Sequence, residues 1–523
     1  MKMTRRFSGR QVVMALALAF AGAASANVEW WAVPAMSGMQ RLPDAVPTDG
    51  EKGGAVKIVA AKGEYEPGSF VLRADADQGK VRLEVSDLKS GTGKVFPKEN
   101  IDLKVVKVWW QNKNAWFSFF ADTGTKLCPE LLLNDEDLIR VDEAKQANYA
   151  RVTGKDGKTR EWWLNPPRLM DKRYYDHYRE TTPFQSMRPG FADAATLQPV
   201  TLAKGVSKQF FLTVRTTKET PAGVYRGKVS GFRFQVSGNG KREAEKSACF
   251  EIPVVVRVLD FELPKPMAYV HPEMDFRVCF YDYISRELIL KENGGDEELM
   301  WKQMEAILAD QVAHGQDMKW VNCRTASVEG ERLLAVMKKV GMRTDAVVGG
   351  IDYVWNEMSA EQATARAYRI ADYYDRTLGH HNVYGGYGDE PGAKFFAKAR
   401  PVFESYQKAG LKFLIASREH IVNLEGFRWD WHNASMKSTD PSVPALWNQL
   451  GSDTHCAWYA DQHVGCENPE FNRRQNGLGA YLSGYSALCN YAHHLGPYND
   501  DSDTYKPMVF AYGTANGVID TLQ

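Results

Sequence analysis

Two adjacent carboxylates, Asp389 and Glu390, lie between three glycines and a proline in Gly385-Gly386-Tyr387-Gly388-Asp389-Glu390-Pro391. Consecutive side chains on a strand point to opposite faces. The pair can therefore serve one pocket only if the backbone bends there. The glycines before it and the proline after it permit a bend. Two carboxylates at a strand end suit acid chemistry on a polar substrate, and sugars are the first candidate. The same residues also suit a helix start, with Asp389 as N-cap and Pro391 near the first helical position. The two roles can coexist.

The flanking pattern sets the context. Residues 27–264 read as a β-rich domain, with short β-branched and aromatic runs such as Val56–Ala60, Ser69–Arg73, Leu103–Trp110, Phe210–Val214 and Ile252–Val258. Pro221-Ala222-Gly223-Val224-Tyr225-Arg226-Gly227 reads as a turn into a strand. Residues 111–200 read as a long irregular insertion rich in Trp and Tyr. A structureless loop of that length is improbable, so it is expected to pack on its own domain. Leu263-Pro264-Lys265-Pro266 reads as a linker.

From residue 265 strands alternate with helices. Asp296 to His314 is the clearest helix, capped by Asp296 and ended by Gly315. Strands are expected at Tyr269–Phe276, Met318–Cys323, Thr344–Val348, Asn382–Tyr387, Lys412–Ala416, Phe427–His432, His455–Tyr459 and Met508–Tyr512. Eight βα units of ~30 residues argue for a parallel (β/α)8 TIM-type barrel over residues 265–523. An open doubly wound sheet is the runner-up, without a GxGxxG or P-loop to support nucleotide binding. Asp389 and Glu390 then end the fourth strand, on the rim where barrel enzymes place their chemistry. On the same count Trp429–His432 and Trp458, Tyr459 and Asp461 approach that rim from strands six and seven. Trp431, Trp458, Tyr459, Asp461 and Tyr387 are the candidate sugar-binding residues, with the Tyr459 hydroxyl the best partner for an acetamide oxygen. Asp275, Arg277 and Asp345 are weaker rim candidates.

Composition narrows the class. Lys+Arg equals Asp+Glu at 65 each in 523 residues, so no global field favours nucleic acid or an anionic membrane. Lys2, Arg5, Arg6 and Arg10 precede the apolar run Val12–Ala21, and Ala24-Ser25-Ala26 fits a cleavage site. Residues 1–26 thus read as a signal peptide, and the mature chain as secreted or periplasmic, without a membrane span. The seven cysteines are scattered and read mainly as buried thiols, with Cys456 and Cys466 close enough in sequence to bridge. No CxxC or HExxH spacing occurs, so neither a metal nor another cofactor is expected.

The combination resembles glycoside hydrolase family 123 and its uncharacterised relatives. The resemblance rests on Glu64-Tyr65-Glu66-Pro67-Gly68-Ser69-Phe70, the Pro221–Gly227 turn, the Leu-Pro-x-Pro linker and the Asp-Glu-Pro of strand four. It implies an N-terminal β-sandwich before the barrel. It also implies a β-N-acetylhexosaminidase of N-acetylgalactosamine type, with the substrate's own acetamide as nucleophile. Glu390 would then protonate the leaving oxygen, and Asp389 would orient the acetamide. Two like charges at close range push their pKa values apart, which suits one protonated and one ionised carboxyl. The insertion at 111–200 departs from the pattern. So does the end at Gln523, which leaves the expected barrel without a closing helix. Two other functions fit the residues: a retaining glycosidase with Asp461 or Glu467 as nucleophile, and a carbohydrate-binding protein without catalysis.

Overall fold

The computed structural model describes residues 27–111, 126–164, 190–236, 242–281, 286, 289–290, 294–321, 327–349, 358–389, 393–417, 423–424, 427–434, 441–451, 453–459, 468–490, 493 and 510–522. The fold mixes α and β elements in more than one domain. The leader expected at 1–26 lies outside the described residues.

The N-terminal half is built on a six-stranded and an eight-stranded sheet, mostly antiparallel. One buried core takes side chains from both: Phe70, Leu72, Val105 and Phe210 from the first, and Val56, Ile58, Val229 and Ile252 from the second. Alternation along Val56–Lys62 and Phe250–Glu262 supplies the inward rows. The Glu64–Phe70 motif has a packing reason. A Cβ on Gly68 would lie 2.7 Å from Ile58 Cδ1 and 2.8 Å from Val56 Cγ1 on the facing sheet, so only glycine fits. Two residues on, Phe70 stacks on Phe210 at 5.1 Å. In the Pro221–Gly227 turn the buried Tyr225 hydroxyl donates to the Pro221 carbonyl at 2.6 Å and pins the strand entry.

The insertion is more regular than its sequence suggests. Lys126–Leu133 pairs with Ile101–Gln111 at the edge of the six-stranded sheet. Ile139–Asp142, Ala147–Thr153 and Thr159–Trp163 form a small antiparallel sheet whose Ile139, Ala150 and Val152 enter the N-terminal core. The Leu131–Leu133 run lacks strand alternation because it is buried on both faces.

The second half holds eight parallel strands: Arg277–Val278, Trp320–Val321, Val347–Gly349, Val383–Asp389, Lys412–Ser417, Trp431–Ala434, His455–Trp458 and Ala487–Leu488. They are numbered one to eight below, and lie side by side in the order 1-8-7-6-5-4-3-2. Strands one and two, at the ends of that order, approach each other too. The Asp317 and Met318 amides donate to the Val278 carbonyl at 3.2 and 3.1 Å, and the Val278 amide donates to Asp317 Oδ1 at 2.8 Å. Helices Glu297–Ala313, Val328–Val340, Ala360–Leu378 and Ala393–Lys408 link the early strands and share an outer core with outward residues such as Val383, Phe413, Ile415 and Cys456. An inner cluster of Cys279, Val348, Tyr384, Leu414, Trp431, Ala457, Ala487 and Cys489 fills the other face.

Three strand expectations are corrected. The first strand starts at Arg277, after the expected Tyr269–Phe276. The sixth is Trp431–Ala434, because Phe427–Arg428 turns back in a hairpin with Asn423–Leu424. The eighth is Ala487–Leu488, not Met508–Tyr512. The last segment instead forms a hairpin, Ala511–Thr514 with Gly517–Asp520, whose Tyr512 and Ile519 enter the N-terminal core. Its own hydrophobic pattern is a strand's, and only tertiary contact decides which sheet it serves.

Candidate functional site

The glycine run bends the chain as the residue types suggest. Strand four pairs in parallel with strand five as Tyr384↔Lys412 and Gly386↔Leu414, and then slips by one residue to Asp389↔Ala416. This is a bulge, which inserts one residue and bends the strand. Without it Asp389 would fall on the opposite register row from Tyr384. With it, Asp389 shares a row with Ala416, Asn433 and Ala457 across strands five to seven. Asp389 and Tyr387 are described through their backbone; Glu390 and Asp461 lie outside the described residues.

The C-terminal strand ends carry a polar and aromatic group beside that row. Tyr459 follows strand seven, and its ring meets that of Tyr281, which follows strand one, at 5.3 Å. Asn433 is fully buried and joins three partners. Its Nδ2 donates to the Tyr281 hydroxyl at 3.2 Å and to Cys489 Sγ at 3.2 Å, while its Oδ1 accepts from Trp431 Nε1 at 2.7 Å. Beneath them Cys279 and Cys489 follow neighbouring strands, and burial followed by the Cys489 thiol pushes the Cys279 thiol up. Both thiols are free. Asn433 and Tyr281 escaped sequence reading. The signal for Asn433 was its place two residues after Trp431, on the same strand face; for Tyr281 it was the aromatic run Phe280-Tyr281-Asp282-Tyr283.

The structure brings Tyr459 to this end and separates other candidates from it. Trp458 is buried on the outer face and packs edge-on against Tyr485 at 5.4 Å. Strand alternation decides this, since Ala457 faces inward. Trp431 does face inward, but it begins strand six and so sits toward the N-terminal end, with His455 at 4.7 Å between ring centroids. It supports Asn433 rather than lining the rim. Trp429 belongs to the outer core, His432 stacks on Trp447 at 4.9 Å, and Asp430 Oδ2 accepts from the Phe413 amide at 2.8 Å.

Asp275, Arg277 and Asp345 also lie at the N-terminal end. Arg277 donates to both Asp345 oxygens at 3.2 and 2.7 Å, and Arg343 bridges Asp275 and Asp345. Burial would raise the Asp345 carboxyl, but hydrogen bonds from Arg277 and Arg343 outweigh it and hold the group well below the usual range. This is an ion-pair network at the stability face of such a sheet. Cys456 is a buried free thiol on the outer face. Cys466 lies outside the described residues.

Among the described residues, Asp310, His314 and Asp520 could together hold a cation. They lie on helix Glu297–Ala313 with its C-cap and on the terminal hairpin, away from the Asp389 row. Lys104 already meets Asp520 at 2.9 Å. Although partly desolvated, the surface-exposed His314 has its pKa raised to about 9 by the Asp310 carboxylate beside it. Lys104 and His314 thus supply positive charge beside the two acids.

Comparison with known proteins gives the fold a counterpart. No family model matches the sequence, and no curated protein matches it. Among solved structures, a family 123 glycoside hydrolase from Clostridium perfringens, studied for glycolipid glycan hydrolysis, superposes with a TM-score of 0.60. The match covers 95% of this chain and 86% of that one at 10% identity. At that identity it establishes a shared fold. A candidate β-galactosidase from Bacteroides fragilis matches 89% of this chain and 58% of that one at 8% identity, with a TM-score of only 0.29.

Proposed function

We propose that this protein is an exported glycoside hydrolase that cleaves a β-linked N-acetylhexosaminide by a retaining, substrate-assisted route. The parallel sheet is read as a (β/α)8 barrel and the two N-terminal sheets as a β-sandwich. The observation that carries the reading is the bulge that ends strand four at Asp389, on the register row of Ala416 and Asn433. The whole-chain likeness to a family 123 glycoside hydrolase supports the same class.

In this reading Glu390 gives its proton to the leaving oxygen. Asp389 accepts the acetamide N–H and stabilises the positive charge as the acetamide oxygen attacks the anomeric carbon. Water then opens the cyclic intermediate with Glu390 as base, which returns the original stereochemistry. Tyr459 and Tyr281 form one aromatic wall, and Asn433 fixes the Tyr281 hydroxyl.

The test is nitrophenol release from the β-N-acetylgalactosaminide and from the matching β-galactoside, with wild type and Glu390→Gln. Cleavage of the acetamido sugar alone, falling by about 10²-fold or more in the variant, is the expected result. Equal cleavage of both sugars would move the nucleophile to a protein carboxylate such as Asp461 or Glu467. Unchanged activity in Glu390→Gln would refute the assignment.

A further inference from the structure

The strand ends opposite Asp389 line a polar cavity. Arg277, Lys412 and His455 each begin a strand, Asn382 and Asp453 each lie shortly before one, and Tyr384 is the second residue of strand four. Together they line a space of about 140 Å³. Its groups are unusual for a plain structural face. His455 is only 8% exposed, and its Nδ1 is buried with no hydrogen-bond partner. Asn382 Oδ1 is likewise buried and unpartnered, although its Nδ2 donates to the Asp345 carbonyl at 3.0 Å. Lys412 Nζ lies 3.4 Å from the Tyr384 hydroxyl and 5.1 Å from that ring's centre, and it makes no ion pair among the described residues.

A half-buried ammonium without a counter-charge and an orphaned acceptor pair are each costly unless something meets them. We propose that this cavity binds a hydrogen-phosphate-like oxyanion, held by Lys412 and Arg277 and donating its own hydroxyl to Asn382 or His455.

Three features select that chemistry. Size comes first: a space of about 140 Å³ suits one compact tetrahedral anion. Charge comes second. Burial followed by the Arg277 and Lys412 charges lowers the His455 pKa to about 3, so the imidazole stays neutral in a locally positive field. Asp430 and Asp453 oppose that field at Lys412, where burial still prevails and lowers its pKa. A cation would meet the Lys412 ammonium there, beside an Arg277 that keeps its charge while also pairing with Asp345. Donor count comes third. Lys412 and Arg277 can only donate, whereas Asn382 Oδ1 can only accept. A ligand that satisfies both needs anionic oxygens and a hydroxyl, which hydrogen phosphate has and sulfate lacks at neutral pH.

The site is independent of the glycosidase reading, because it lies at the other end of the strands. Calorimetric titration of the full chain with inorganic phosphate, and separately with sulfate, in a zwitterionic buffer at pH 7.5 tests it. One saturable phosphate site is expected, with sulfate at least 5-fold weaker. Lys412→Met should weaken phosphate at least 10-fold, while Lys412→Arg should keep most of the affinity. Asn382→Asp places a carboxylate in the cavity with Lys412 intact, and should abolish binding even if Lys412→Met does not fold. No saturable binding, phosphate and sulfate bound alike, or binding that survives Asn382→Asp would overturn the proposal.

Discussion

Lowering the pH from 7.5 to 5 should weaken the fold through a single buried imidazole. His455 is neutral in the folded protein, with its pKa brought down from 6.5 to about 3 by burial, then by Arg277 and Lys412, against the opposing effects of a Ser486 backbone hydrogen bond and of Asp275. A histidine whose folded pKa lies below its unfolded value stabilises the fold fully above 6.5. That stability is lost as pH falls toward the folded value, because the unfolded chain takes up the proton first. At pH 5 the unfolded histidine is about 97% protonated and the folded one is not. The difference is about 2 kcal/mol between pH 7.5 and 5. The figure hardly depends on how low the folded value lies, since any value below about 4 gives the same result. His314 works the other way: its folded pKa is raised to about 9, so its contribution grows as pH falls below that value. A wild-type curve alone therefore mixes the two. His455→Phe separates them, because the ring keeps its place against Trp431 and Tyr384 and Nδ1 has no partner to lose. Urea denaturation of both proteins at the two pH values, in phosphate-free buffer, is the assay. Wild type should lose about 2 kcal/mol more than His455→Phe on acidification. An equal loss in both would refute the argument that this imidazole is held neutral.

Asn433→Ala removes the acceptor of the Trp431 N–H and one partner of the Tyr281 hydroxyl. It should cost about 1–3 kcal/mol in urea and lower kcat/KM on the acetamido substrate, whereas unaltered kinetics would remove Asn433 from the site. Trp431→Ala should destabilise by about 3–5 kcal/mol as a core truncation. Any folded protein should keep its KM, and a selective rise in KM would restore Trp431 to the sugar site. Tyr512→Phe removes the phenol that donates at 3.2 Å to the fully buried Glu130 carboxylate, which also receives Trp109 Nε1 at 2.7 Å. The expected loss is about 1.5–3 kcal/mol, with faster hydrogen exchange confined to the terminal hairpin. Exchange unchanged there would mean that Glu130 does not clasp it.

Local chemistry made part of this protein legible in advance. The glycine-rich approach to Asp389 announced a bend, because glycine is tolerated where a strand must leave its register, and a bulge is found there. Asp296 and Gly315 marked one helix, since capping depends on neighbours in sequence, and Asp296 does cap it by accepting from the Leu299 amide at 3.0 Å. The alternation of strands and helices announced a parallel sheet, because parallel neighbours require a crossover. What the tertiary structure alone decided is which end and which face each strand residue occupies. Trp431 and Trp458 looked equivalent as aromatic candidates, yet a strand that starts at Trp431 sends that ring to the N-terminal end, and alternation sends Trp458 outward. Met508–Tyr512 has the pattern of a strand, but pattern cannot name a partner, and the burial of Tyr512 in the first domain's core came from contacts hundreds of residues apart. Asn433 and Tyr281 became neighbours, and Lys412, Asn382 and His455 came to share a cavity, only because parallel strands align their like ends. Spacing along the chain carries no trace of that alignment, since it depends on the stagger between strands and not on any one of them.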